Sequence, residues 1–317
     1  FRQHLKVSIE QNAPYPAAKI IQASILGNQK EIPDEIMEKF NRTGTSHIIA
    51  ISGFNIGIIA MLSFFIIRSF MKSSEYLMLR FNIVKTSSVM AVMPIILFTL
   101  IAGAGISVVR ATIMVITFMI ALVFNKDRNL YNALALAAFV ILVFSPYSLF
   151  DVSFQLSFAA VLSILFVSPV LSDIILKKQQ HESHEEPGLM LRAYRSFVLF
   201  IIVTVSATIG TLPLTVYYFN RISTVVMLAN LAVVPVLGII AIPLCTSIII
   251  AAPLSASLAA ALITLSSWLV EVSLQLVDFF ASLPFSSFLV TTPTIPEIVI
   301  FYVLVIAAVS YLNANSR

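Results

Sequence analysis

The sequence predicts an all-α fold, a polytopic bundle of about nine transmembrane helices, give or take one, preceded by a short amphipathic helical segment. Three observations carry that prediction. Of 317 residues, 59% are hydrophobic and only 11% are charged, whereas a soluble domain carries about 25% charged and 45–50% apolar residues. Mean hydropathy is +0.99. Apolar stretches of about 20 residues recur along the chain, the length that crosses roughly 30 Å of hydrocarbon at 1.5 Å per helical residue. Too little polar surface remains to cover a soluble globule, so a soluble enzyme, a disordered chain and an ordinary basic nucleic-acid-binding domain are excluded.

Residues 1–44 hold many of the charges, among them Arg2, Lys6, Glu10, Lys19, Glu31, Asp34, Glu35, Lys39 and Arg42. They read as two short helices at the outer membrane face, separate from a transmembrane domain over 45–317. The first, near Ala17–Leu26, ends at Gly27-Asn28, a C-cap pattern. The second follows Pro33, with Asp34 and Glu35 in a first turn whose dipole favours acids. Its mixed apolar and charged faces predict a helix lying on the membrane surface.

The spans follow near Ser46–Phe70, Ser87–Ala102, Ile106–Phe124, Leu130–Ser145, Val152–Leu171, Phe197–Phe219, Val225–Ala252, Ser255–Ser282 and Ile298–Leu312. Pro235, Gly238 and Pro243 interrupt the seventh, which leaves two half-helices open as a reading. The eighth turns amphipathic after Trp268, so an exit from the bilayer there is open too. Loop cations orient the bundle, because Lys and Arg are retained on the cytoplasmic side. Arg68, Lys72, Arg80 and Lys85 follow the first span, Lys126 and Arg128 the third, and Lys177, Lys178, Arg192 and Arg195 the fifth; the alternate loops are nearly bare. This bias places residues 1–44 outside. The net charge of +4 mostly reports these loops. Phe1 is not a Met and no signal peptide precedes the first span, so the chain is expected to be excised from a longer protein. The one cysteine, Cys245, leaves no role for disulfides.

Ionisable groups inside a bilayer are costly and mark candidate sites. Arg110 is the only cation between Lys85 and Lys126. It shares a stripe with Gly103, Ser107, Met114 and Thr117 at helical spacing. Two readings stand for it: a bidentate phosphate contact, or an arginine that snorkels or caps neighbouring helices. In the first span His47, Ile51 and Asn55 fall on one face with Ser52 beside them, while Gly53 and Gly57 form a small face for close helix packing. His47 also reads as a residue bonded to a nearby carbonyl, and one His makes no metal site. Asp151 reads as a helix N-cap, with Gln155 one turn further in. Thr204, Thr208, Thr211 and Thr215 make a hydroxyl stripe that can line a wet path or bond back to its own helix. Glu271, Gln275 and Asp278 would repel a polyanion, so that face reads as an amphipathic surface helix. His181 and His184 lie in a polar loop. No hydrolytic, nucleotide-binding, metal or cofactor motif is present.

Several stretches together resemble one family. These are Ile25-Leu-Gly-Asn-Gln, Thr43-Gly-Thr-Ser-His-Ile-Ile-Ala-Ile-Ser-Gly-Phe-Asn-Ile-Gly57, Val109-Arg-Ala-Thr-Ile-Met114, Asp151-Val-Ser-Phe-Gln-Leu-Ser-Phe-Ala159, Leu212-Pro-Leu-Thr-Val-Tyr-Tyr-Phe-Asn220 and Leu228-Ala-Asn-Leu-Ala-Val-Val-Pro235. In order and spacing they are similar to the membrane competence domain of the ComEC family of DNA-uptake proteins, over about residues 20–250. The resemblance implies a bacterial inner-membrane channel passing single-stranded DNA into the cytoplasm during natural transformation, together with other DNA-uptake machinery. It implies no enzymatic activity for this chain, any nuclease belonging to other domains of such proteins. The family usually has His where this chain has Asn55, which hydrogen-bonds but cannot titrate near neutral pH.

On this reading Arg110 contacts phosphate, His47, Ser52, Asn55 and Gln155 form the polar lining, and Phe154 or Phe158 offers stacking. One arginine is little for a polyanion, which favours a homo-oligomer that multiplies it. Two other classes stay open: a secondary transporter of a small solute built around the Pro235–Pro243 interruption, and an intramembrane enzyme pairing His47 with Glu271 or Asp278.

Overall fold

The computed structural model describes residues 1–49, 51, 53–124, 130–176 and 188–316, and within these the protein is helical almost throughout. The helices are α1 (Arg2–Asn12), α2 (Ala17–Leu26), α3 (Asp34–Thr43), α4 (Ser46–Ile49), α5 (Gly53–Lys72), α6 (Glu75–Arg80), α7 (Ile83–Ile101), α8 (Ile106–Val123), α9 (Leu130–Phe144), α10 (Val152–Leu176), α11 (Leu189–Phe219), α12 (Val226–Val233), α13 (Ile242–Leu254), α14 (Ala256–Ser282) and α15 (Ile295–Ser316). Strands β1 (Arg221–Ser223) and β2 (Ser287–Leu289) pair as a two-stranded sheet. Among the described residues eight helices are long and apolar enough to cross a membrane, α12 and α13 counting as one, and α9 is a shorter apolar helix. The predicted all-α polytopic class is the one observed.

Contacts divide the chain into two units, residues 1–146 with 223–286, and residues 147–222 with 287–317. Residues 1–44, expected as a segment of their own, thus cluster with the first unit. Its core joins Leu5 and Ile9 of α1, all of α2 except Lys19, Phe40 of α3, and Val233, Leu237, Ile242, Ile248, Ile263, Val270 and Val277 of the α12–α14 region. The α2 sequence explains this. Small Ala17, Ala18 and Ala23 let its backbone approach, and Ile20, Ile21, Ile25 and Leu26 fill the surrounding space. Gly27 terminates it in the left-handed conformation (φ 74°), as its position predicts. A side chain there would collide with the Ala102 carbonyl at 2.5 Å.

Charges hold this N-terminal region at its rim. Lys19 bridges Glu31 (2.9 Å) and Glu10 (3.1 Å), and Lys6 reaches Glu31 at 2.6 Å. Lys6, then Lys19, holds the Glu31 carboxyl below its ordinary value. Gln22, then Lys19, does the same for Glu10, and both carboxylates raise Lys19. Helix α1 is absent from the sequence reading, because its polar composition hides the buried pair Leu5 and Ile9.

One expectation for the later spans is corrected. The segment interrupted by prolines is not two half-helices: α12 runs into α13 through a π-helical stretch over 234–241. Pro235 and Pro243 remove backbone donors, and the wider π turn accommodates the gap without breaking the rod. Helix α14 continues without a break past Trp268. A buried stripe of Ala259, Ile263, Ser266, Val270, Ser273, Val277 and Ala281 runs its whole length.

In the second unit α10 and α11 lie in close contact. A Cβ on Gly210 would stand 2.3 Å from Ser163 Cβ and 2.7 Å from the Ala159 carbonyl. Tyr302 of α15 donates to the Gly210 carbonyl at 2.9 Å.

Candidate functional site

The polar residues singled out by sequence fall in both units. In the first unit the chain leaves α3 through Gly44 (φ 74°), where Thr43 and Thr45 are fully buried with their hydroxyls 2.7 Å apart. His47 follows on α4, exposed, its Nδ1 3.1 Å from the Gly44 carbonyl. The predicted single helix over Ser46–Phe70 is not formed. Ile51, between α4 and α5, is not helical, so His47 and Asn55 do not share one helical face. Glycine's low helix propensity at 53 suits it to a start rather than to an interior. Ser52 lies outside the described residues.

Asn55 stands in the first turn of α5 with 1% of its surface exposed. Its chain neighbour Ile56 belongs to a buried apolar cluster with Ile95 and Phe98 of α7 and Val108, Ala111 and Met119 of α8. Arg110 sits one turn into α8, only 4% exposed, and its Nη2 donates to Ser107 Oγ at 3.2 Å. It therefore does not snorkel to the surface of the chain. Beside it in sequence Thr112 is buried, its hydroxyl 2.6 Å from that of Thr99 on α7, which also donates to the Ile95 carbonyl. The same ends of α5, α7 and α8 thus collect an amide, a guanidinium and three hydroxyls. The Thr99–Thr112 pair escaped the sequence reading; its signal is two threonines flanking the tight Gly103–Gly105 turn.

Gly53 and Gly57 do not make the close approach expected of them. Among the described residues no atom lies within 4 Å of a Cβ built on either. The small-residue contact is made instead at Gly210.

Gln155 belongs to the second unit and is half-buried. Its Nε2 donates to the Leu149 carbonyl at 2.9 Å, and Tyr218 of α11 donates to its Oε1 at 2.7 Å. Asp151 accepts from the Phe154 amide at 3.1 Å, which makes it the N-cap. Phe154 is buried against Phe158, with ring centroids 4.3 Å apart, so it presents no open stacking face. Thr204, Thr208 and Thr211 each bond back to a carbonyl of α11.

Asp278 of α14 meets a cation of the N-terminal region. Lys39 pairs with Asp278 (3.0 Å) and with Glu35 (3.1 Å), and these two, in that order, raise the Lys39 ammonium. They border a cavity of about 470 Å³ with Tyr15, Ile36, Glu271 and Gln275. The His47–acid pair that an intramembrane enzyme would need is not made among the described residues. The cavity also lies away from the Pro235–Pro243 stretch that the transporter reading would use. Among the described residues no group of three His, Cys, Asp or Glu could hold a metal; His181 and His184 lie outside them.

Residues 24–315 match the model of the family described as competence protein. The chain is 26% identical over 235 residues to "ComE operon protein 3" of Bacillus subtilis (strain 168), covering 74% of this chain and 26% of that protein. It is 23% identical over 232 residues to "Uncharacterized protein YcaI" of Escherichia coli (strain K12), covering 73% of this chain and 29% of that one. The matches therefore span under a third of either relative's length. No solved structure matches. The chain belongs to the competence protein family.

Proposed function

We propose that this chain is the membrane domain through which single-stranded DNA passes into the bacterial cytoplasm during natural transformation. One observation carries the reading: the competence family model covers residues 24–315 of a chain in which, among the described residues, eight helices are long and apolar enough to cross a membrane. The cation bias of the loops supports the cytoplasmic membrane as its location, with residues 1–44 outside.

The polar ends of α5, α7 and α8 are the part of the first unit suited to a strand. Arg110 is the group matched to phosphate, and Asn55, Ser107 and the Thr99–Thr112 pair add neutral donors and acceptors. In the described conformation the guanidinium is held inside the unit at 4% exposure. Contact with a passing phosphate therefore requires α8 to yield it, an opened state coupled to the strand's arrival. The acidic rim of α14 would repel the same polyanion and lies off the path. Other DNA-uptake proteins and further copies of this chain are its proposed partners, and no catalytic step is assigned to it.

The test is a transformation assay in cells carrying the full-length protein with Arg110→Ala, Arg110→Lys or Asn55→His, each checked for membrane insertion. Arg110→Ala is expected to cut uptake, with partial recovery in Arg110→Lys. Undiminished uptake in Arg110→Ala removes that residue from the path. Undiminished uptake in cells lacking the protein refutes the function itself.

A further inference from the structure

The short connection between α5 and α7 combines two properties that a water-bathed loop does not. Helix α5 ends at Lys72 and α7 begins at Ile83, both long and apolar enough to cross a membrane, so residues 73–82 join two such helices at one end. Here α6 presents Leu79, 90% exposed, and Tyr76, 61% exposed. Met78 and Phe81 are exposed beside them, with Phe70 and Val84 at the flanking helix ends. Leaving such a run of large apolar side chains in water is unfavourable. Arg68, Lys72, Arg80 and Lys85 surround this run, against the single carboxylate of Glu75. Among the described residues none of the four cations forms an ion pair. Arg80 instead contacts the Tyr76 hydroxyl and lies over its ring, 5.7 Å from the centroid.

We propose that α6 and the adjoining ends of α5 and α7 form an interfacial anchor that binds anionic phospholipid. Tyr76, Met78, Leu79 and Phe81 enter the boundary between headgroups and acyl chains, and the four cations meet lipid phosphates in the same plane. A DNA strand would match the charge but leave the apolar run in water. A protein surface would match the apolar run without calling for four cations. An anionic leaflet supplies both, and in binding here it fixes the depth of α5 and α7, whose other ends carry Asn55 and Thr99.

Two measurements test this on the full-length protein. The first reconstitutes a variant in which every native tryptophan, Trp268 among them, is replaced by Phe and Leu79 by Trp, into vesicles of phosphatidylcholine and phosphatidylglycerol. The introduced indole is expected to emit blue-shifted and to be quenched by lipids brominated near the headgroup. Emission as in water, without quenching, overturns the anchor. The second leaves both positions native and weighs the phosphatidylglycerol and phosphatidylcholine retained by the protein in native mass spectrometry. The preference for the anionic lipid should fall about fivefold for each cation removed in Lys72→Gln and Arg80→Gln. An unchanged ratio overturns the charge-based recognition. Loss of phosphatidylglycerol to a single-stranded oligonucleotide, but not to inorganic phosphate at equal concentration, would reassign the patch to nucleic acid and overturn the lipid proposal.

Discussion

Replacing Gly210 by Ala puts a methyl group where α10 already stands. At an open helix position the change would stabilise by about 1 kcal/mol, because Ala has the higher helix propensity. Here the new Cβ would lie 2.3 Å from Ser163 Cβ and 2.7 Å from the Ala159 carbonyl oxygen. The first neighbour can shift only with its backbone, and the second is backbone, so α10 and α11 must separate. Overpacking of this kind costs about 1–3 kcal/mol. Separation also strains the 2.6 Å bond from Ser163 Oγ to the Ser206 carbonyl and the Tyr302 bond to Gly210 itself. The net expectation is a loss of about 1–2 kcal/mol, a five- to thirtyfold change in the folded ratio. Unfolding of the detergent-solubilised protein measures the loss, and hydrogen exchange locates it in α10 and α11. Gly57→Ala is the matched control, since no atom of the described residues lies within 4 Å of its Cβ, and it should be neutral or stabilising by up to about 1 kcal/mol. If Gly210→Ala stabilises as Gly57→Ala does, the reasoning about close approach is refuted.

Other expectations concern single bonds and charges. A double-mutant cycle on Thr99→Val and Thr112→Val should give a coupling of about 0.6 kcal/mol, the average for interhelical hydrogen bonds in membranes; zero coupling would mean that the 2.6 Å contact between the hydroxyls contributes nothing. Tyr218→Phe removes the donor to Gln155 and should cost about 1 kcal/mol in unfolding measurements, and adding Gln155→Leu should cost more, because it also removes the bond to the Leu149 carbonyl. Glu10 and Glu31 are depressed below 4.5 in the folded chain. Their contribution is complete above pH 4.5 and is lost as pH falls through the depressed values. Lys19 is raised above 10.5, so its contribution holds below that pH and is lost as pH climbs through the raised value. Hydrogen-exchange protection of α1 should therefore fall at both extremes, and a flat acid limb would show that the ionic rim does not hold α1.

Much of the helical framework was legible. Gly27 after Leu26, and Pro33 before Asp34 and Glu35, marked the boundaries of α2 and α3 as observed, because caps and first-turn acids act through the nearest backbone groups. Asp151 was readable as an N-cap for the same reason. The errors have one physical character. Hydropathy predicts a continuous first span because it does not register the interruption at Ile51. The π stretch at 234–241 looked like a break because prolines signal missing donors without telling how the chain makes up for them. The candidate site was legible as residue types, Arg110 and Asn55 above all, and not as an arrangement.

What the sequence determined by itself is therefore the all-α class, the approximate spans, the punctuation between them and the scarcity of intramembrane charge that singles out Arg110. Each of these follows from composition, span length or local backbone chemistry. Tertiary structure alone decided that α2 is core, that Lys39 meets Asp278, that Arg110 is enclosed, and that Gly210 rather than Gly53 or Gly57 receives a close neighbour. The reason lies in the solvent. Lipid tails are as apolar as leucine, so a face turned to lipid and a face turned to protein look alike in sequence, and only the packed neighbours distinguish them.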